Sequence, residues 1–162
     1  MVIVNSSPII TLGKISKLEL LRKLFDIVII SEQVYKEIRS KPYNEETIAI
    51  KKAVEDDKWI KVQKSIELKV NLGIGEASSL SLASKLKQPL IIDDRKAVFV
   101  ANTLGIECHG TLFIVLLALK RKIIKSKKEA IDIVNQLIGN NLYLSSDALS
   151  EFYVLLNKVN LP

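Results

Sequence analysis

The sequence is poor in cysteine and histidine, and this scarcity restricts the sites that it can build. Cys108 is the one cysteine and His109 the one histidine in 162 residues. A lone cysteine cannot form a disulfide within the chain, which suits a reducing compartment, so we expect a cytoplasmic protein. A structural zinc site, which needs several cysteine or histidine ligands, is excluded as well.

Long apolar runs and aromatic residues are also scarce. The longest apolar run, 112–119, is far shorter than the roughly 20 residues of a membrane-spanning helix, and the N-terminus lacks the pattern of a secretory signal. We therefore expect no membrane association. Aromatic residues make up only 6% of the chain, so we expect Tyr143, Phe152 and Tyr153 to pack within the protein rather than to stack on nucleobases.

Positive charge is concentrated in one segment of the chain. The net charge is +6, and residues 109–128 hold six lysines and arginines and no acid, whereas the rest of the chain is balanced. Such a cluster, which includes Lys120 and Arg121, is typical of a surface that binds nucleic acid. A solvated helix end, where positive side chains favour the helix dipole, is the structural alternative.

Short β-branched runs alternate with helical segments along the chain. This alternation predicts an α/β fold in which helices cover both faces of a short central parallel sheet. Since no repeat or flexible linker interrupts the chain, we expect a single domain over 1–162. Strands are predicted at 2–4, 27–30, 59–62, 89–92 and 106–108, and helices at 8–13, 17–25, 32–39, 44–56, 75–87, 95–104, 111–122, 126–139 and 145–157.

Polar and acidic residues follow two of the predicted strands. Asn5 comes after the strand predicted at 2–4, and Asp93 and Asp94 come after the strand predicted at 89–92. In a parallel sheet these strand ends lie at the same edge, where α/β proteins bind their ligands. Helical spacing places Glu37 at the margin of a buried face and Glu76 in the first turn of its helix, facing inward.

Acids that converge on one point repel each other unless a cation neutralises them. Oxygen ligands of this kind suit Mg²⁺ or Mn²⁺, which can activate water for hydrolysis of a phosphodiester. Structural alternatives exist for each residue. Glu37 and Glu76 can be solvated helix charges, Asp94 can cap the next helix or pair with Arg95, and Asn5 can satisfy backbone groups in its turn.

These motifs, taken in order, resemble the PIN-domain nucleases. The resemblance spans about 2–124 and is carried by the stretches 2–8, 34–38, 73–77, 90–95 and 110–111. It implies a three-layer α/β/α fold, to which the helices predicted from the sequence pattern at about 126–157 are a C-terminal addition. It also implies a metal-dependent endoribonuclease, in many relatives the toxin of a toxin–antitoxin pair, with Glu37, Glu76 and Asp94 as metal ligands and Asp93 as the close alternative.

The resemblance further implies RNA as the substrate, a homodimer and an antitoxin partner. The apolar helix that starts at Thr111 would supply dimer surface. Ser6 and Thr111 would lie near the substrate, although Thr111 can instead cap its helix, and Arg95 and Lys96 would hold the RNA backbone. His109 is not expected to act as a general base, because no neighbouring residue in the sequence would orient it.

The first acidic position departs from the family pattern. Asn5 stands where most PIN nucleases carry Asp, and it offers a carbonyl oxygen without a charge. The alternative function is therefore a catalytically silent PIN-like module that binds RNA or a protein. A phosphoacceptor receiver domain would carry its acid pair after the first strand, where this chain has Asn5, so that fold is disfavoured.

Overall fold

A parallel sheet forms the centre of the molecule. The structure is a computed structural model that describes residues 1–66 and 68–159. The strands in these residues are β1 (Val2–Val4), β2 (Val28–Ser31), β3 (Ile60–Gln63), β4 (Leu90–Ile91) and β5 (Cys108–His109). They form one sheet in the order β3-β2-β1-β4-β5, and every neighbouring pair is parallel.

Helices connect and cover these strands. In the described part of the chain they are α1 (Ser6–Lys14), α2 (Glu19–Leu24), α3 (Glu32–Arg39), α4 (Glu45–Glu55), α5 (Ile74–Leu86), α6 (Arg95–Thr103), α7 (Thr111–Lys120), α8 (Lys127–Gly139) and α9 (Ser146–Lys158). Each predicted strand and helix is present, with ends shifted by a few residues at most. Across 1–66 and 68–159, the helices are too short or too polar to cross a membrane.

Alternate residues of the strands face two separate hydrophobic cores. In β1, Val2 and Val4 belong to the larger core, whereas Ile3 belongs to the smaller one. Because successive side chains of a strand point to opposite faces, each core occupies one face of the sheet. Helices α5 and α6 cover the smaller core and the other helices cover the larger one, which confirms the three-layer α/β/α prediction.

Two of the shifted boundaries change how the sequence is interpreted. The last strand does not include Ile106, because the N–H of Ile106 donates to the carbonyl of Ala101 at the end of α6, at 2.9 Å. Ile106 is buried in the smaller core all the same, and this burial explains its apolar, strand-like signal. The first helix starts at Ser6 rather than at Pro8, so Asn5 occupies its N-cap position.

The direction of winding reverses at β1. This strand pairs with β2 on one side, where Val2 lies opposite Val28, and with β4 on the other, where Val4 lies opposite Ile91. Ligands of α/β sheets bind beyond the carboxyl ends of the strands at such a reversal. Asn5 and Asp93, which follow these two strands, therefore stand at the position where a site is expected.

Candidate functional site

Asn5 lies at the centre of this edge and is almost completely buried. Its side chain is 1% exposed, and its backbone N–H donates to the carbonyl of Ile91 at 3.0 Å. Its side-chain Oδ1 lies 3.2 Å from the hydroxyl of Ser79, which also lies 2.9 Å from the carbonyl of Gly75. Asn5 is thus held between β4 and the start of α5.

Glu37 reaches the same place from α3, across a glycine of α5. A Cβ added to Gly75 would lie 3.0 Å from Glu37 Oε2 and 3.8 Å from Asn5 Oδ1. The two oxygens therefore stand around one point that a side chain at position 75 would fill. Any larger residue at position 75 would have to displace the Glu37 carboxylate. Glu37 is itself exposed, which agrees with its predicted place at the margin of the buried face of α3.

Glu76 stands in the first turn of α5 and lines the cleft beside Asn5. Its carboxylate bends back over Gly73, where an added Cβ would collide with Oε2. The negative charge is favourable at this position because the N-terminus of a helix carries a partial positive charge. Two glycines, Gly73 and Gly75, thus clear space for the two glutamates.

Asp93 is tied to the start of α7. Its Oδ1 accepts from the backbone N–H of Thr111 at 2.7 Å, its Oδ2 accepts from the Thr111 hydroxyl at 2.7 Å, and the Ser7 hydroxyl lies 3.5 Å from Oδ2. Burial raises the pKa of Asp93 above its usual value, although the hydrogen bonds from Thr111 and Ser7 oppose that rise. Gly110 allows the contact, since a Cβ there would lie 3.1 Å from Asp93 Oδ1.

Asp94 does not contact α7 as Asp93 does; its side chain caps the N-terminus of α6. Its Oδ1 accepts from the backbone N–H of Ala97 at 2.9 Å, as the capping alternative predicted. Oδ2 makes no hydrogen bond with the described residues, and Asp94 is exposed at the cleft. One oxygen of Asp94 is therefore engaged in structure while the other remains available to a ligand.

The predicted RNA contacts divide into exposed and buried residues. Arg95 and Lys96, in the first turn of α6, are exposed and line the cleft. Neither forms a salt bridge within the described residues, so the suggested pair of Arg95 with the acids is absent there. Ser6 and Thr111 are buried, and that they lie near a bound RNA stays a prediction.

The basic segment lies away from the acids. Helix α7 starts at Thr111 beside Asp93, so at about 1.5 Å per residue Lys120 lies roughly 14 Å along the helix from that point. Arg121 Nη1 donates to the carbonyl of Leu24 at 2.8 Å and thereby supports the end of α2. That Lys120 and Arg121 bind nucleic acid stays a prediction.

The side chains at this edge offer the oxygen donors that a hard divalent cation prefers, but within the described residues they do not lie close enough together to form a complete metal site. Their donors are all oxygens, the kind that Mg²⁺ and Mn²⁺ prefer, and no salt bridge to a described residue neutralises them. Within 1–66 and 68–159, no three Asp, Glu, His or Cys side chains stand close enough to hold one ion. That the predicted acids share one cation stays a prediction.

A groove with aromatic walls extends from the acids, and the sequence did not reveal it. The groove has a volume of about 1020 Å³ and runs between α6, α7 and α9. Tyr143 lines it and is 92% exposed, and Tyr153 on α9 is 39% exposed, so the expectation that these two pack inside was wrong, whereas Phe152 is buried as predicted. His109 Nε2 lies 2.9 Å from Glu107 Oε1, so this carboxylate orients a ring that was expected to have no such neighbour.

One signal in the sequence could have revealed the Glu107 contact. Residues two apart on an extended segment point to the same side, and Glu107 stands two positions before His109. No comparable signal in the sequence indicates that Tyr143 is exposed. Its exposure depends on the path of the segment that connects α8 to α9.

Residues 1–158 match the model of the DUF3368 family, which is described as a PIN domain. The match covers nearly the whole chain, including every acid at the strand ends. This chain belongs to the PIN-domain family. PIN domains are generally nucleases and generally use divalent metal ions.

A solved structure supports the fold of this PIN domain independently. A PilT N-terminus domain protein from the hyperthermophilic archaeon Sulfolobus solfataricus is similar to 70% of this chain over 90% of its own length, with a TM-score of 0.53. The sequence identity is 17%, so the likeness concerns the fold alone. A comparison with curated proteins finds no match.

Proposed function

We propose that this PIN domain is a Mg²⁺- or Mn²⁺-dependent endoribonuclease. The observation that supports it most is the position of Asn5, Glu76, Asp93 and Asp94 around one cleft. Glu37 stands beside Gly75, on the same side as Asn5. The acids among them have no cationic partner within the described residues. Unpaired acids gathered in a cleft do little for stability, and they favour binding of a cation and a phosphate.

Asn5, Glu37, Glu76 and Asp94 would hold the cation through side-chain oxygens. When bound, a hard divalent cation neutralises phosphate charge and lowers the pKa of water. Arg95 and Lys96 flank the cleft and would attract the RNA backbone. Asp93 differs from Asp94, because both of its oxygens are engaged by Thr111, so we assign it the role of positioning α7.

Ser79 decides which atom of Asn5 faces the cleft. The Ser79 hydroxyl has one proton and two neighbouring acceptors, Gly75 O at 2.9 Å and Asn5 Oδ1 at 3.2 Å. If the proton goes to Gly75, the amide of Asn5 can turn so that its NH₂ donates to Ser79. Oδ1 then faces the cleft, where it can serve as a neutral ligand.

A cleavage assay tests the proposed function directly. We expect wild-type protein with Mn²⁺ to cut RNA internally, and we expect Asp94→Ala and Glu76→Ala to lower the rate by more than about 100-fold, the upper range for groups that merely support a metal site. Asp132→Ala, which removes an exposed acid on α8, should leave the rate unchanged. Full activity in both cleft variants would exclude this mechanism.

A silent binding module is the second candidate, and the neutral Asn5 favours it. An amide attracts a cation less strongly than a carboxylate does, so this chain can retain the fold while losing cleavage. In that case the wild type shows no cleavage with Mn²⁺, and Asn5→Asp restores it. Cleavage by the wild type itself rejects this candidate.

The toxin role, the antitoxin partner and the homodimer are proposals that rest on family resemblance. Helix α7 packs most of its apolar residues against α2, α8 and α9, so it offers less free surface to a second copy than its sequence suggests. A gene for a small antitoxin beside this one would support the toxin role. A monomer in light scattering at micromolar concentration would contradict the homodimer.

A further inference from the structure

Three buried serines lie behind Asn5 and form a continuous set of hydrogen bonds. Ser31 and Ser79 are 0% exposed and Ser78 is 5% exposed. Ser31 Oγ lies 2.6 Å from Ser78 Oγ, and the Ser78 hydroxyl donates to the carbonyl of Gly75 at 2.8 Å. The hydroxyl of Ser79 lies near the same carbonyl and near Asn5 Oδ1. The Gly75 carbonyl therefore links the buried serines to the candidate site.

The Gly75 carbonyl has more donors around it than it can accept. A backbone carbonyl oxygen has two lone pairs. One of them receives the backbone N–H of Ser79, which stands four residues later in α5. The hydroxyls of Ser78 and Ser79, at 2.8 Å and 2.9 Å, compete for the other. Only one of these two hydroxyl protons can therefore bind to Gly75 at a time.

The proton of Ser31 decides this competition in favour of Ser78. Ser31 Oγ accepts a backbone N–H as the cap of α3. Among the described residues, the only acceptor for its own proton is Ser78 Oγ. Ser31 thus donates to Ser78, and Ser78 donates to Gly75. The Ser79 hydroxyl is left to donate to Asn5 Oδ1.

This order of hydrogen bonds turns the amide nitrogen of Asn5 toward the cleft. Its Oδ1 is bound by Ser79, and its Nδ2 bonds to no residue in 1–66 or 68–159. Every buried side-chain nitrogen or oxygen atom in those residues has a partner, so Nδ2 lies at the surface of the cleft that Asn5 lines. An NH₂ group donates hydrogen bonds and offers no lone pair to a metal. A cation in the cleft therefore requires the amide to turn.

We propose that Ser31 and Ser78 lower the affinity of the cleft for its cation, because they oppose this turn of Asn5. After the turn, the NH₂ of Asn5 donates to Ser79 and the Ser79 proton binds to Gly75. Ser78 then donates back to Ser31, whose buried proton is left without an acceptor in the described part of the chain. The inference rests on the proposed function, and it makes these two serines positioning residues, since they act through Ser79.

Removal of the Ser78 hydroxyl should therefore strengthen metal binding. We expect Ser78→Ala to bind Mn²⁺ roughly 2- to 10-fold more tightly than the wild type in titration calorimetry, the range for one hydrogen bond. Ser78→Cys, with a weaker donor, should give a smaller rise. Ser81→Ala is the matched control, because Ser81 is a buried serine of α5 that bonds to neither Gly75 nor Asn5; its affinity should equal that of the wild type.

The same substitution should have no effect on a carboxylate at position 5. Asp has no NH₂ group to turn, so Ser78→Ala should leave the Mn²⁺ affinity of Asn5→Asp unchanged. An equal rise in both backgrounds would assign the effect to packing and overturn the proposal. An affinity of Ser78→Ala that is equal to or below that of the wild type would overturn it as well.

Hydrogen exchange of the Asn5 side-chain amide tests the proposal without any metal. Nuclear magnetic resonance detects these protons, and their signals are identified by their loss in Asn5→Asp. In metal-free protein we expect exchange with water to be slower in Ser78→Ala than in the wild type, because the NH₂ then donates to Ser79. Exchange that is equally fast in both would overturn the proposal. A wild type that binds no cation contradicts the proposed function, whereas the exchange rates still test the order of the hydrogen bonds, so the two proposals fail separately.

Discussion

At the scale of single residues, Gly75 is the position from which an added side chain would approach both Glu37 and Asn5. The Cβ of Gly75→Ala would press on Glu37 Oε2, and the end of that side chain can move aside. We expect stability within about 1 kcal/mol of the wild type, because alanine favours a helix more than glycine does. We also expect Mn²⁺ affinity to fall by about 10- to 100-fold, measured by titration calorimetry.

Gly139→Ala provides the control for this helix-glycine substitution. Gly139 ends α8, and an added Cβ would meet nothing within 4 Å. It should leave Mn²⁺ affinity unchanged. Equal affinity in Gly75→Ala and Gly139→Ala would show that Glu37 does not contribute a ligand.

The two neighbouring aspartates should respond differently to substitution. Asp93→Asn keeps an acceptor for the Thr111 N–H and removes a buried charge whose pKa is raised by burial. We therefore expect thermal stability in a chelator at least equal to that of the wild type. Asp93→Ala leaves the Thr111 N–H without its partner and should cost about 1–3 kcal/mol in urea unfolding. Equal losses in both variants would contradict this reading.

Much of the candidate site was predictable at this scale. Asn5 and the Asp93–Asp94 pair follow apolar strands, and parallel strands bring their ends together by rule. The contacts from Ser79 and Thr111 were not predictable, because each depends on a helix that arrives from a distant part of the chain. The cap formed by Asp94 was among the alternatives that the sequence offered, but the sequence did not indicate that Asp93 would bind Thr111.

At the scale of secondary-structure elements, a tyrosine joins α3 to α4. The Tyr35 hydroxyl donates to Glu55 Oε1 at 2.8 Å. Burial, followed by the hydrogen bond and charge of Glu55, raises the pKa of Tyr35 from 10.0 to about 12. The folded state therefore favours the protonated phenol more than the unfolded chain does.

Tyr35 should make the protein sensitive to alkali. Its stabilisation is complete below pH 10, the ordinary pKa, and is lost as the pH rises toward about 12. We expect Tyr35→Phe to lose about 0.5–1.5 kcal/mol at pH 8, and the gap to the wild type to close with rising pH. Urea unfolding at several pH values measures this. Tyr43→Phe, at an exposed ring, should show no gap, and a gap for Tyr35→Phe that widens with pH would refute the assignment.

Elements were easier to predict than their ends. β1 is a β-branched run buried on both faces, which has few alternatives to a central strand. β5 was predicted too early in the chain. Ile106 is apolar because it is buried in the smaller core, but its N–H donates to the end of α6 rather than to a neighbouring strand. The pattern of apolar and polar residues predicts which residues are buried. It does not predict which backbone group each N–H binds, because that depends on tertiary packing.

At the scale of the whole molecule, two groups of positive side chains are candidates for binding RNA: Arg95 and Lys96, which line the cleft, and the basic segment 120–128, which begins roughly 14 Å along α7 from Thr111. We expect the double variant Arg95→Gln, Lys96→Gln to bind RNA more weakly. The slope of the logarithm of its binding constant against the logarithm of salt concentration should fall by the equivalent of roughly two phosphate contacts. Lys120→Gln with Lys128→Gln removes the same charge from exposed residues of the basic segment and should have a smaller effect. Fluorescence anisotropy at several salt concentrations measures both effects, and a larger effect of the second pair would assign RNA binding to the basic segment.

The most direct test of the central claim is a calorimetric titration of the metal-free protein with Mn²⁺. We expect the wild type to bind the ion at one site through the oxygens that surround Asn5, and we expect Glu76→Gln and Asp94→Asn to abolish that binding while keeping the thermal stability of the fold. Absence of binding to the wild type, or binding that survives in both variants, would contradict the account.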